Sequence, residues 1–211
     1  MRCLIIAGSP EYDAELIRTQ AKLHDLVICA DRGYSFAKAA GISPNLIVGD
    51  FDSCKGELPD DCEIVTLPTE KDDTDTAHAV GLALERGYDE ITILGAVGGR
   101  LDHSLANLCL LAHISSKGGR GELLSEKERI VYLAPGEHSF DSLTGLTFSL
   151  FPFGCPEVEV EYLGAKYSDG IYCLTSEKPQ GVSNIFSEND SIIRIYRGSA
   201  VLIINMSDAF L

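Results

Sequence analysis

No run of about 20 apolar residues occurs anywhere in the chain, so no segment reads as a membrane-spanning helix. Residues 1–8 are likewise too short in apolar side chains for a secretory signal. The seven cysteines form no C-x-x-C pair, which argues against a zinc site or a disulfide framework. Cys3, Cys29, Cys109 and Cys173 lie in apolar runs and read as reduced core residues, so a cytoplasmic location is expected. The phosphate-loop sequence G-x-x-x-x-G-K-[S/T] is missing, which excludes a P-loop kinase. Basic residues are scarce: 17 Lys and Arg stand against 32 Asp and Glu, a formal charge of −15. Such a surface repels nucleic acid and anionic membrane, and neither is expected as a partner. An anionic substrate would have to meet a local cation. There is no internal repeat and no low-complexity tract.

What is present is an ordinary globular composition, 45% hydrophobic and 23% charged, over a length sufficient for one or two domains. The first half alternates strand and helix. Strands are expected at 3–7, 26–30, 46–48, 64–67 and 91–94. Helices are expected over 13–23, 34–40 and from Asp73 or Thr74 to Gly87. A further helix carries Leu105, Leu108, Leu111 and Ala112 on its buried face and is capped by Asp102 or Ser104. The segment 117–121 reads as a connection. From Arg129 onward short strands alternate with Gly/Pro turns: 130–133, 146–151, 158–163, 170–174, 191–196 and 200–205. The fold class expected is therefore an α/β domain over 1–122, with a mostly parallel sheet and flanking helices. An all-β, sandwich-like domain follows over 123–211.

The chemistry concentrates where the strands of the first half end. Leu46-Ile47-Val48-Gly49-Asp50-Phe51-Asp52-Ser53 is a short buried strand followed by two carboxylates. In an extended segment, positions i and i+2 point the same way, so Asp50 and Asp52 are expected to converge on a cation. Hard oxygen ligands suit Mg²⁺; the plainer alternative is a solvated acidic turn. Lys71-Asp72-Asp73-Thr74-Asp75 leads into a helix with more carboxylates than one cap needs. Gly98-Gly99-Arg100-Leu101-Asp102-His103 opens another helix, as a simple turn or as a phosphate cradle with Arg100 as a bidentate cation. His103 reads as a packed or capping histidine more readily than as a general base. Together with Asp31-Arg32-Gly33, all these groups fall at the carboxyl ends of strands, where ligands of such sheets bind.

Taken in order, Gly49-Asp50-Phe51-Asp52-Ser53, Lys71-Asp72-Asp73-Thr74-Asp75 and Gly98 through His103, followed by Leu105-Ala106-Asn107-Leu108, resemble the thiamine pyrophosphokinase family. Gly181-Val182-Ser183-Asn184-Ile185-Phe186 looks like that family's late thiamine-contacting motif. The resemblance implies pyrophosphoryl transfer from ATP to the thiamine hydroxyl, giving thiamine diphosphate and AMP, by a homodimer with active sites at the subunit interface. It implies Mg²⁺ on Asp50, Asp52 and Asp75, with Asp73 as a further catalytic candidate. Asp31, Gly33, Lys71, Thr74, Arg100, Asp102 and His103 are implied around ATP, and Ser183 and Asn184 around thiamine. Some members set a tryptophan against the thiamine ring. This chain has none, and Tyr167 stands at about the right place. Two alternatives remain open at this level. One is a Mg²⁺-dependent phosphohydrolase with Asp50 as nucleophile. The other is a nucleotide or thiamine sensor without turnover.

Overall fold

The computed structural model describes residues 1–51, 59, 62–68 and 72–207. The chain divides into two compact units, Met1–Ser125 and Glu126–Leu211. In the first unit the order is β1 (Arg2–Ile6), α1 (Ala14–Ala21), β2 (Leu26–Ala30), α2 (Gly33–Ala39), β3 (Leu46–Gly49) and β4 (Glu63–Thr66). Then come α3 (Asp75–Glu85), β5 (Glu90–Leu94), α4 (Leu101–Ser116) and β6 (Arg120–Leu124). The strands form a parallel sheet in the order β6-β5-β1-β2-β3-β4. Strands β2 and β3 are buried at every residue, and such unbroken apolar runs are what a sheet covered on both faces requires. Edge strand β4 is mostly exposed. Among the described residues no helix is long and apolar enough to cross a membrane.

Local chemistry sets the helix ends. The Asp13 carboxylate accepts from the N–H groups of Glu15 and Leu16 (2.8 and 3.1 Å) and starts α1. Thr74 Oγ1 accepts from Ala77 N–H (3.1 Å) and starts α3; each such cap stabilises a helix by about 1 kcal/mol. Helix α4 departs from the sequence expectation. Its N-cap is Arg100, with no side-chain cap bond, and its buried residues are Asn107, Leu111 and Ile114. Leu105, expected inside, is 50% exposed. The polar Asn107 is drawn in because its Nδ2 donates to the carbonyl of Ala96 (2.7 Å), tying the helix to the loop after β5.

The second unit contains β7 (Glu128–Leu133), β8 (Gly136–Asp141), β9 (Thr147–Pro152), β10 (Glu157–Leu163), β11 (Ile171–Thr175), β12 (Asn184–Ile185), β13 (Asp190–Arg197) and β14 (Ala200–Asn205). They pair antiparallel as β12-β9-β14-β7 and as β11-β10-β13-β8. Both sets contribute to one apolar core that includes Phe148, Leu150, Val160, Phe186, Ile193 and Leu202. Along β10 the alternation is clean, with Val158, Val160 and Tyr162 buried and the intervening glutamates turned outward. Of the cysteines expected in the core, Cys3 and Cys29 are buried but Cys109 and Cys173 are exposed. Burial pushes the Cys3 thiol up to about 12.

Candidate active site

The strand order reverses between β1 and β5: the chain runs outward from β1 to β4, then crosses to β5 on the other side. Crevices for ligands form outside the carboxyl ends of strands at such a switch point. Here the two loops that leave β1 and β5 interlock. Ser9 N–H donates to Gly95 O (2.9 Å) and Ser9 Oγ to Val97 O (2.6 Å). Gly98 and Gly99 have φ of 89° and 67°. A Cβ on them would lie 2.9 Å from Glu11 Cδ and from the Pro10 ring. Both the turn and the close approach therefore call for glycine.

Asp31 and Asp50 emerge side by side, since Ala30 is in register with Val48 and Asp31 N–H donates to Val48 O (2.8 Å). Asp31 has φ of 48°, a left-handed conformation. Gly33, which begins α2, is buried, and a Cβ there would stand 1.9 Å from the Ile6 carbonyl oxygen. The glycine is thus demanded by packing of α2 on β1. Asp50 is half-buried, and Phe51 beside it has φ of 60°. That is a left-handed and not an extended conformation at Phe51; Asp52, the second carboxylate of the expected pair, lies outside the described residues, as does Lys71.

Helix α3 runs back along the sheet. Arg86 at its far end pairs with Glu63 at the start of β4 (Nη2–Oε1 2.6 Å), and Gly87 lies beside Met1. Its N-terminus therefore falls at the opposite edge, where β2 and β3 end. Thr74 caps it, Asp75 is half-buried in its first turn, and Asp73 is exposed just before it. On the α4 side, Arg100 grips Asp102 through Nε (3.1 Å) and Nη2 (2.5 Å). That guanidinium holds the Asp102 carboxyl below the usual carboxylate range. Asp102 Oδ1 also accepts from His103 N–H (3.0 Å), and all three residues are exposed. Among the described residues no three His, Cys, Asp or Glu side chains come close enough to hold a metal ion.

The second unit holds the other predicted cluster. Asn184 is buried (5% exposed). Its Oδ1 accepts from the N–H groups of Tyr167 (3.0 Å) and Ile185 (2.9 Å), and its Nδ2 donates to Tyr167 O (2.9 Å). The amide thus acts as a rung of a ladder continued by Lys166 N–H to Ile185 O (2.9 Å) and by the Ala165–Phe186 bridge. Ser183 is exposed, with φ of 58°, and its N–H donates to Ser149 Oγ (3.2 Å). Tyr167 is exposed and lines a cleft of about 400 Å³ with Tyr162, Tyr172, Leu174, Val182 and Asn184.

A family profile described as thiamin pyrophosphokinase, catalytic domain, matches residues 17–120. The thiamine pyrophosphokinase of Bacillus subtilis (strain 168) is 28% identical over 205 residues, covering 94% of this chain and 96% of that one. The crystal structure of thiamine pyrophosphokinase from Bacillus subtilis superposes with a TM-score of 0.84 at 27% identity, over 97% of this chain and 99% of that one. A thiamin pyrophosphokinase family protein from Enterococcus faecalis gives 0.81 at 28%, with the same coverage. All of these comparisons indicate the thiamin pyrophosphokinase family. Yeast thiamin pyrophosphokinase, at 18% identity, shares the fold (TM-score 0.77, over 100% of this chain and 89% of that one). The family profile spans the sheet edge from Asp31 to His103, whereas Tyr167, Ser183 and Asn184 lie beyond it.

Three aromatic residues escaped the sequence reading. Tyr12, in the loop before α1, stacks on Phe36 (centroids 4.1 Å apart, planes at 15°) and stays 44% exposed. Tyr162 and Tyr172 meet at 5.6 Å inside the cleft. Strand alternation from Val158 could have turned Tyr162 inward on paper, but nothing local reveals a cleft there.

Proposed function

We propose that the protein transfers the pyrophosphoryl group of ATP to the hydroxyl of thiamine, yielding thiamine diphosphate and AMP. The observation that carries this reading is the gathering of Asp31, Asp50, Asp75 and Arg100 at one carboxyl edge of one parallel sheet, around its switch point. Asp50 and Asp75 are half-buried carboxylates of the kind that suits a hard cation, so the donor chemistry fits Mg²⁺, with Asp52 as a third ligand. Bound there, Mg²⁺ would offset the phosphate charge that this acidic chain otherwise repels.

The chain's own residues do the rest. With Nε and Nη2 engaged by Asp102, the Arg100 guanidinium is held flat and keeps Nη1 to donate to a phosphate oxygen. Thr74 and His103 flank the nucleotide in this reading, Asp31 and Gly33 border it, and Lys71 adds a cation. The exposed ring of Tyr12 offers a purine a face to lie on. Asp73 or Asp75 orients the thiamine hydroxyl and takes its proton. The oxygen then bonds to the β-phosphorus as the bridge to the α-phosphate breaks and AMP leaves. Such transfer needs in-line placement more than covalent help. Tyr167, Ser183 and the cleft beside them serve the thiamine. Two copies of the chain, acting in the cytoplasm, share the sites at their interface.

The test is direct. The protein is incubated with ATP, Mg²⁺ and thiamine, and phosphorus NMR follows the products. AMP and thiamine diphosphate in equal amounts support the reading. ADP with thiamine monophosphate, or no thiamine-dependent product, removes it.

A further inference from the structure

The cleft of the second unit contains two buried polar side chains, Asn184 and Tyr162. The Asn184 amide is committed to the backbone of Tyr167 and Ile185. Tyr162 differs. Its residue is 4% exposed, and its ring is held between Phe148 (5.6 Å) and Tyr172 (5.6 Å), so the direction of its hydroxyl is fixed. Nearby, the Tyr172 hydroxyl accepts from Asp169 N–H (3.1 Å). The Tyr162 hydroxyl makes no hydrogen bond among the described residues. No sealed side-chain oxygen or nitrogen among the described residues lacks a partner, so this hydroxyl opens into the cleft.

The fold supplies this hydroxyl with no acceptor among the described residues, and phenylalanine would fill the same space without it. Desolvation, with Tyr172 adding to it, pushes the hydroxyl pKa well above the ordinary phenol value. The group is therefore a neutral, fixed donor, available to water or to an acceptor on a ligand in the cleft. Resting on the thiamine reading above, the acceptor can be chosen by chemistry. The thiazolium ring of thiamine is cationic and has no nitrogen lone pair to offer. The aminopyrimidine ring is flat, fits between tyrosine faces, and carries two acceptor nitrogens.

We propose that Tyr162 is a substrate contact whose hydroxyl donates a hydrogen bond to a ring nitrogen of the thiamine aminopyrimidine, making it a specificity-determining residue. The test compares wild type with Tyr162→Phe by isothermal titration. Two probes are used: thiamine, and its 3-benzylthiazolium analogue, which replaces the aminopyrimidine by an unsubstituted phenyl ring. One neutral hydrogen bond corresponds to about a five- to tenfold change in affinity. Tyr162→Phe is expected to weaken thiamine by that factor and to leave the benzyl analogue unchanged, with the thermal midpoint unaltered or raised. Equal thiamine affinity in both proteins overturns the Tyr162 contact alone, as does an equal loss for both probes. Wild-type protein that binds no thiamine overturns the contact and the thiamine reading together.

Discussion

Replacing Asn184 by alanine should loosen Tyr167 and, through it alone, weaken the binding of thiamine. The side chain makes three hydrogen bonds: two accepted by Oδ1 (3.0 and 2.9 Å) and one donated by Nδ2 (2.9 Å). At about 0.5–1.5 kcal/mol each, their loss amounts to roughly 2–4 kcal/mol of local stability. The damage should stay local, because Lys166 N–H still reaches Ile185 O and the Ala165–Phe186 bridge remains. Hydrogen exchange at the Tyr167 amide reads this directly. Losing its acceptor should speed exchange by about tenfold or more. Asn184→Asp should do no better than alanine, since a carboxylate would face the Tyr167 carbonyl oxygen. Thiamine affinity completes a double-mutant cycle with Tyr167→Ala. If Asn184 acts only by positioning Tyr167, the double variant binds no more weakly than Tyr167→Ala. Unchanged exchange at Tyr167 in Asn184→Ala, or losses in affinity that add, would refute the reasoning.

Asp50→Asn should cut turnover by at least roughly a hundredfold, because even outer-shell changes at metal sites cost about 10–100-fold; steady-state rates with retained circular dichroism check it. Arg100→Ala should raise KM for ATP by about tenfold or more, the scale of a charged hydrogen bond, without changing thiamine affinity in titrations. Gly33→Ala should cost more than the about 1–3 kcal/mol of a typical overpacked methyl, because the obstacle is the Ile6 carbonyl, 1.9 Å away, and backbone cannot step aside; a urea midpoint close to that of wild type would contradict this. Hydrogen bonding from Arg86 lowers the Glu63 carboxyl pKa, so the pair stabilises the fold above the unfolded-state pKa and ceases to as pH falls through the folded one. The midpoint gap between wild type and Arg86→Met should therefore be present near neutral pH and shrink as the pH falls below the ordinary glutamate pKa of about 4.3; a gap that widens on acidification has the wrong sign.

What could be read from residues alone follows from how tightly each pattern is tied to one environment. Strand β2 was expected at 26–30 and lies there, because five apolar residues between turns have few places to go but a buried parallel sheet. Strand β14 matches its expected 200–205 for a similar reason. Strand β8 has a single buried residue, Phe140, and gave no apolar pattern to find. In α3, Ala77, Val80, Gly81 and Leu84 recur at helical spacing, but Thr76, Ala79, Val80 and Ala83 are the buried ones. A helix rich in alanine is apolar on several sides, so its own sequence cannot choose among them. The same holds for α4, where Leu101 and Leu105 lie exposed while Asn107 is inside.

The motif residues show a deeper difficulty. Asp50, Gly33 and Asn184 all stood out for their chemical type, yet type does not say whether a group touches a ligand or holds the structure that does. Gly33 is explained in full by the Ile6 carbonyl beside it. Asn184 is largely explained by Tyr167. Tyr162 presents the opposite case: a tyrosine in an alternating strand whose hydroxyl makes no hydrogen bond among the described residues. Partners, and the lack of them, belong to three-dimensional neighbours far apart in the chain. A polar group fully satisfied by the fold therefore needs no substrate to account for it, while one that opens into a cleft with no hydrogen bond among the described residues is free to meet one, and on that criterion Tyr162 ranks above Asn184 as a substrate contact.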